Sequence, residues 1–110
     1  EGYITVVDRK KDMIKTGAHR ISPKEIEDAL LEFPEVHEAA VIGVPDEILG
    51  EAIKAFVVFR PGTSPDLEAL RAFLGRRLPP YKTPADYVVR EDLPKNESGK
   101  IMKQALREQP

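Results

Sequence analysis

The stretch Val36-His37-Glu38-Ala39-Ala40-Val41-Ile42-Gly43-Val44-Pro45-Asp46-Glu47-Ile48-Leu49-Gly50-Glu51-Ala52-Ile53-Lys54-Ala55-Phe56-Val57-Val58-Phe59 decides the fold. Its two apolar, β-branched parts, Val36 to Val44 and Ala52 to Phe59, read as strands. Between them Pro45-Asp46-Glu47 reads as a turn. A connection this short pairs the strands antiparallel, because a parallel return needs a crossover of about a dozen residues or more. Arg60-Pro61-Gly62 ends the second strand.

Upstream, Ser22-Pro23-Lys24-Glu25 carries three signals of a helix start. Ser22 can cap, Pro23 suits the first turn, and Glu25 completes a capping box. Ile26, Ala29, Leu30 and Phe33 follow at helical spacing until Pro34 stops the helix. Further upstream, Tyr3 to Val7 reads as a short strand, Asp8-Arg9-Lys10-Lys11-Asp12 as a charged turn, Met13-Ile14 as extended chain and Gly17-Ala18-His19-Arg20 as a loop. Downstream, Ser64-Pro65-Asp66 opens a helix whose Leu67, Leu70, Phe73, Leu74 and Leu78 share one face. Pro79 to Pro84 breaks it and imposes extended chain. Tyr87 to Arg90 reads as a strand, and a short amphipathic helix is expected from roughly Ile101 to Arg107. The sum is an α+β fold: a small, mostly antiparallel sheet of about three strands with helices packed on it, plus a short N-terminal strand or hairpin.

The chain has 110 residues, 41% hydrophobic and 33% charged, which suits one soluble globular domain. No apolar run approaches the ~20 residues of a membrane span. Seventeen basic residues against nineteen acidic ones leave a formal charge of −2, so no global field favours nucleic acid. An anion site, if present, is local. With no cysteine there are no disulfides, thiolate ligands or cysteine nucleophiles, and a reducing, cytoplasmic location is expected. His19 and His37 lack metal-ligand spacing, so no metal site is expected. The opening Glu1-Gly2-Tyr3, without methionine or a signal-like segment, reads as a piece of something larger.

Chemistry concentrates in Leu93-Pro94-Lys95-Asn96-Glu97-Ser98-Gly99-Lys100-Ile101-Met102-Lys103. A lysine after a Ser-Gly turn is a point cation with three donors, suited to a phosphate or carboxylate held by another surface. A solvated hairpin with lysines for solubility fits the same residues. Asp8 to Asp12 is either an exposed turn or a polar hinge. Gly17-Ala18-His19-Arg20 brings small residues and a cation to a helix start, where a ligand can approach the backbone; a plain turn explains it equally well. No paired carboxylates, no nucleophile with a base and no phosphate-cradling glycine fingerprint are present. The domain reads as catalytically incomplete.

Taken together, Gly2-Tyr3, Asp8-Arg9-Lys10-Lys11-Asp12-Met13-Ile14-Lys15, Ile21-Ser22-Pro23-Lys24-Glu25-Ile26-Glu27 and Leu93-Pro94-Lys95 with Ser98-Gly99-Lys100-Ile101 resemble the C-terminal domain of the adenylate-forming enzymes. That superfamily comprises acyl-CoA synthetases, nonribosomal peptide synthetase adenylation domains and luciferases. The resemblance spans essentially the whole chain. It implies that residues 1–10 belong to a large N-terminal domain and residues 11–110 to the mobile C-terminal domain of an AMP-forming acyl-CoA synthetase, an acid–thiol ligase inactive as an isolated domain. It implies ATP with Mg2+, held mainly by the large domain, coenzyme A as co-substrate and a carboxylic acid as substrate.

Residue by residue, Lys100 matches the lysine that bridges the substrate carboxylate and the ATP α-phosphate during acyl-adenylate formation. Lys11 matches the hinge, and Arg9 a nucleotide contact. The loop of Lys15, Gly17, Ala18, His19 and Arg20 matches the one that lines the pantetheine tunnel after the domain rotates. The family usually has glycine late in that loop, where this chain has Ala18 after Gly17. Two alternatives stand beside this reading: transfer to a carrier-protein pantetheine, and a non-enzymatic module that binds an acidic partner or nucleic acid.

Overall fold

The computed structural model of the chain describes residues 13–48 and 50–108. The expected strand from Tyr3 to Val7 and the charged turn holding Arg9 and Lys11 lie outside them. The described elements are β1 (Ile14–Thr16), β2 (His19–Ile21), α1 (Pro23–Leu31), β3 (Val36–Asp46), β4 (Gly50–Phe59), α2 (Leu67–Arg77), a 3-10 turn (Pro80–Lys82), β5 (Asp86–Arg90) and α3 (Lys103–Glu108).

The expected hairpin is the spine of the molecule. β3 and β4 pair antiparallel from Val36 opposite Phe59 to Asp46 opposite Gly50, with an irregularity between Val36 and Glu38. Pro45 and Asp46, expected in the turn, extend β3 instead. The turn proper falls at Glu47 and Ile48, where Asp46 Oδ1 accepts the Ile48 N–H at 2.9 Å. β3 occupies one edge of β4 along its length, so β1 and β5 share the other.

The sheet has five strands, three in its main body and a short hairpin toward the N-terminus. The hairpin strands are β1 and β2, which pair antiparallel as Ile14 with Ile21 and Thr16 with His19. Each is three residues long, too short to show an alternation. The segment expected as a loop is therefore a two-residue hairpin turn with flanking strands. β5 runs parallel to β4, Lys54 opposite Asp86 through Val58 opposite Arg90, with α2 lying in the crossover.

Both faces of the central ladder are buried. Alternation sends Ala39, Val41, Ile53, Ala55 and Val57 to one side, where they meet Ile26 and Leu30 of α1 and Leu70 and Leu74 of α2. Ala40, Ile42, Phe56 and Val58 point to the other, where Leu93 and Leu106 of the C-terminal segment cover them. Two-sided burial explains why these strands read as unbroken apolar runs rather than as alternating ones.

Helix boundaries follow local chemistry. At α2 the Asp66 side chain accepts the Ala69 N–H at 3.1 Å, an N-cap. At α1, Pro23 sits in the first turn as expected, but the capping box does not form: Ser22 makes no side-chain cap bond. Glu25 sends its carboxylate to Lys82 Nζ, 3.0 Å from each oxygen, because a cation is a stronger partner than a backbone amide. The last helix begins at Lys103 rather than Ile101, since Ile101 bridges to Lys95.

Leu106, fully buried, anchors α3 to the second face. Leu106→Ala is expected to cost about 2–5 kcal/mol, measured by urea denaturation. It should also expose the segment around residues 94–102 to limited proteolysis; an unchanged cleavage rate there would show that α3 does not hold it down.

Candidate functional site

The lysine loop is a tight hairpin. Lys95 and Ile101 form an antiparallel bridge, and Met102 N donates to Pro94 O at 2.8 Å. Asn96 closes the turn. Its carbonyl accepts Gly99 N at 3.0 Å, its N–H donates to Lys100 O at 2.9 Å, and its side-chain Oδ1 accepts Ser98 N and Lys100 N at 2.9 and 3.0 Å. Gly99 takes φ 84°, a left-handed value that a side chain would strain. The Ser-Gly turn read from the sequence is thus closed by several backbone hydrogen bonds to Asn96. Lys100 is exposed and makes no ion pair among the described residues.

Two ion pairs seat this hairpin on β3. Lys95 Nζ lies 2.9 Å from both carboxylate oxygens of Glu38. Lys103 Nζ lies 2.8 Å from Glu27 Oε2, which also accepts the Val41 N–H at 2.8 Å. Glu27 and Lys103 are 18% and 19% exposed, unlike the open Lys24–Asp28 pair at 81% and 58%, which contributes little. Glu27 thus joins α1, the free edge of β3 and the start of α3.

The second candidate loop lies elsewhere. Gly17 (φ 60°) is the first central residue of the β1–β2 turn, and among the described residues only glycines have positive φ, so Ala18 sits in ordinary backbone. This is the two-residue hairpin turn that needs glycine at its first position and tolerates alanine at its second. Lys15 and Arg20 face each other across the hairpin, both exposed, and Lys15 N donates to Glu51 Oε1 at 2.8 Å. The His19 ring stacks on Tyr81 with centroids 3.9 Å apart and planes at 18°. An open groove of about 380 Å³ lies beside the stacked pair, lined by Thr16, Gly17, His19, Tyr81, Thr83 and Ala85 among others.

The two loops do not meet. Thr16 pairs with Gly50 at the start of β4, whereas Glu38, the seat of Lys95, pairs with Val58 near its end. At about 3.3 Å per residue these anchors are roughly 26 Å apart along the strand. The Glu38 seat of the Lys100 hairpin therefore lies toward one end of the ladder, and the hairpin of Lys15, Gly17, Ala18, His19 and Arg20 joins it at the other. Lys11 and Arg9 lie outside the described residues. Among those described, no three His, Cys, Asp or Glu side chains are grouped to hold a metal ion, and no helix is long and apolar enough to cross a membrane.

A small α+β domain with an exposed lysine at one end of its sheet and a basic hairpin at the other has groups to lend to a neighbouring site. The chain belongs to the family of AMP-binding enzyme C-terminal domains, whose family model matches residues 25–100. It is 47% identical over 109 residues, 99% of its length, to a long-chain-fatty-acid–CoA ligase of Bacillus subtilis strain 168, of which it covers 20%. Among solved structures it superposes with TM-score 0.82 and 41% identity on a Mycobacterium tuberculosis fatty acyl CoA synthetase, covering 89% of this chain and 19% of that one. The o-succinylbenzoate CoA synthetase of Bacillus subtilis, solved with its acyl-adenylate intermediate, matches with TM-score 0.83 and 33% identity over 91% of this chain and 20% of the other. The chain spans about a fifth of the length of these relatives.

Sequence reasoning missed the partners rather than the loops. Tyr81 and Lys82 read as part of a connector, yet they hold His19 and Glu25. Glu25 and Lys82 are 57 positions apart, as are Glu38 and Lys95, so no local pattern signals them. The hydrogen bond to Glu25 holds Lys82 above its ordinary range, against a smaller lowering by burial. Burial pushes Tyr87 up, opposed by Arg71, whose guanidinium lies 5.0 Å from the ring centroid.

Both shifts act in one direction. A group that holds its proton more tightly when folded stabilises the fold below its unfolded value and loses that contribution as pH rises through the folded one. Stability is therefore expected to fall above about pH 10. Tyr87→Phe should flatten that fall in thermal unfolding between pH 8 and 11, and equal slopes in the two proteins would rule out Tyr87 as a contributor.

Proposed function

We propose that residues 11–110 are the mobile C-terminal domain of an AMP-forming acyl-CoA synthetase, an acid–thiol ligase, with residues 1–10 belonging to its large N-terminal domain. The observation that carries this reading is the separation of the two loops' anchors, roughly 26 Å along β4 at the usual strand rise. Two groups so far apart on one rigid sheet cannot serve one substrate at once. A domain that turns about a hinge can present each in its turn.

In the first half-reaction a carboxylate oxygen of the acid attacks the α-phosphorus of ATP and pyrophosphate leaves, giving the acyl-adenylate. Lys100 is the catalytic residue, bridging carboxylate and α-phosphate as charge gathers between them. A cation aimed at that charge lowers the barrier because its interaction strengthens in the transition state. The absence of an ion-pair partner for Lys100 among the described residues leaves it free for this role. Arg9 is assigned to the nucleotide, and Mg2+ accompanies ATP on the large domain.

In the second half-reaction the coenzyme A sulfur attacks the acyl carbon and AMP leaves. Rotation about Lys11 withdraws Lys100 and brings Lys15, Gly17, Ala18, His19 and Arg20 to line the pantetheine path. The groove between Gly17, His19 and Tyr81 supports this role, since a slender arm needs a channel with close backbone walls. The alanine at position 18 costs this turn nothing in backbone conformation, so the family's usual glycine is not required for its shape. The coenzyme A ligases among the relatives support free coenzyme A over a carrier-bound pantetheine. In this reading the large domain supplies the ATP and acyl pockets, the chain alone is expected to be inactive, and the enzyme is expected in the cytoplasm.

In the full-length enzyme, Lys100→Ala is expected to slow acyl-adenylate formation by about 100-fold or more while sparing thioester formation from supplied acyl-adenylate. Equal loss of both half-reactions would contradict the assignment. Lys11→Pro fixes φ at the hinge and should slow the thioester step more than adenylation. An unchanged ratio of the two single-turnover rates would reject Lys11.

A further inference from the structure

We infer that Lys95 and Glu38 are positioning residues for the adenylation step, aiming the Lys100 hairpin through an ion pair at its base. The inference rests on the reading of Lys100 given above and assigns a role to residues outside that reading. Lys95 is directly across the hairpin bridge from Ile101, the neighbour of Lys100, so a shift of Lys95 is transmitted to the lysine backbone. Its ammonium is gripped by both oxygens of Glu38 at 2.9 Å and reaches the Leu93 carbonyl at 3.4 Å. Glu38 is itself fixed, because it lies on β3 opposite Val58, just inside the ladder irregularity.

The hairpin needs such a seat. It stands outside the main sheet, joined to it neither by ladder bonds nor by a buried side chain of the turn itself, since residues 95–100 are all exposed. Buried Leu93 and Leu106, with partly buried Ile101 packed on the same core, hold the segment down, but apolar contacts are not directional and do not by themselves set the tilt of the hairpin. A charge-assisted pair with fixed geometry sets that tilt. The far strand is held independently by Lys103 on Glu27, 2.8 Å away. Loss of the Lys95 pair therefore swings the hairpin without detaching it. A misplacement of about 1 Å at a reacting group can cost roughly 100-fold in rate, so such a swing is costly to chemistry and cheap to the fold.

The test uses the full-length enzyme, with the two half-reactions measured separately. Lys95→Glu, which sets two carboxylates against each other, is expected to lower the adenylation kcat by about 10- to 100-fold. The KM for ATP and the thioester rate from supplied acyl-adenylate should stay near wild type. Lys95→Met should fall in between, and adding Glu38→Lys to Lys95→Glu should restore most of the lost rate. The inference is overturned if Lys95→Met adenylates at the wild-type rate, if both half-reactions fall together, or if the reversed pair gives no rescue. Lys100→Ala in the same assay separates the two ideas. If it leaves adenylation intact, the proposed function fails; if it abolishes adenylation while the Lys95 variants adenylate at the wild-type rate, only the positioning role fails.

Discussion

Burial of the β3–β4 ladder on both faces is the constraint from which the rest of the structure follows. A hairpin with one wet face could stand with helices on one side alone. Here Ala40, Ile42, Phe56 and Val58 would lie bare without Leu93 and Leu106, so the C-terminal segment is part of the core rather than a tail. The lysine hairpin lies between those two leucines in the chain. Its location is thereby set by hydrophobic burial, which acts over area and carries no direction.

Direction comes from charge at the edge of the sheet. β3 is an edge strand, and an unpaired edge invites pairing with another chain. Glu27 blunts it by taking the Val41 N–H and the Lys103 ammonium on one carboxylate oxygen. That arrangement clasps one face to the other across the edge. A largely desolvated pair is weak evidence of stability, since burial of its charges offsets much of their attraction, and its use lies in fixing one geometry. The same logic separates Lys95–Glu38 and Lys82–Glu25, which join remote segments, from Lys24–Asp28, which spans one turn of a helix.

What was legible in the sequence tracks the range of the interactions. The strands of the central ladder, both long helices and the antiparallel turn are local and were readable from period and punctuation. The β1–β2 hairpin was not, because three-residue strands carry no period and Gly17-Ala18 reads as a loop until its strands are seen. β5 was readable as a strand but not as a parallel one, since pairing across α2 depends on where the helix lands. The capping box at Ser22 failed for a similar reason: Lys82, far along the chain, outbid a backbone amide for Glu25. The candidate loops themselves were found through Lys100 and Gly17, residues whose chemistry is written locally. Their anchors, Glu38, Glu27 and Tyr81, have no local signature.

A sheet packed on both faces, with its two candidate loops anchored toward opposite ends, bears on the proposed rotation. If the sheet flexed, a hinge motion would be absorbed within it and neither loop would arrive in register. The ladder from Val36 to Gly50, cores on both faces and clasps at Glu27 and Glu25 leave little in the described residues to absorb such motion. In the proposed reading, reorientation would then occur outside this body, and a turn of the whole domain would withdraw Lys100 and advance the Gly17 hairpin in one step. Packed interiors convert a change at a hinge into displacement of the whole unit rather than local distortion.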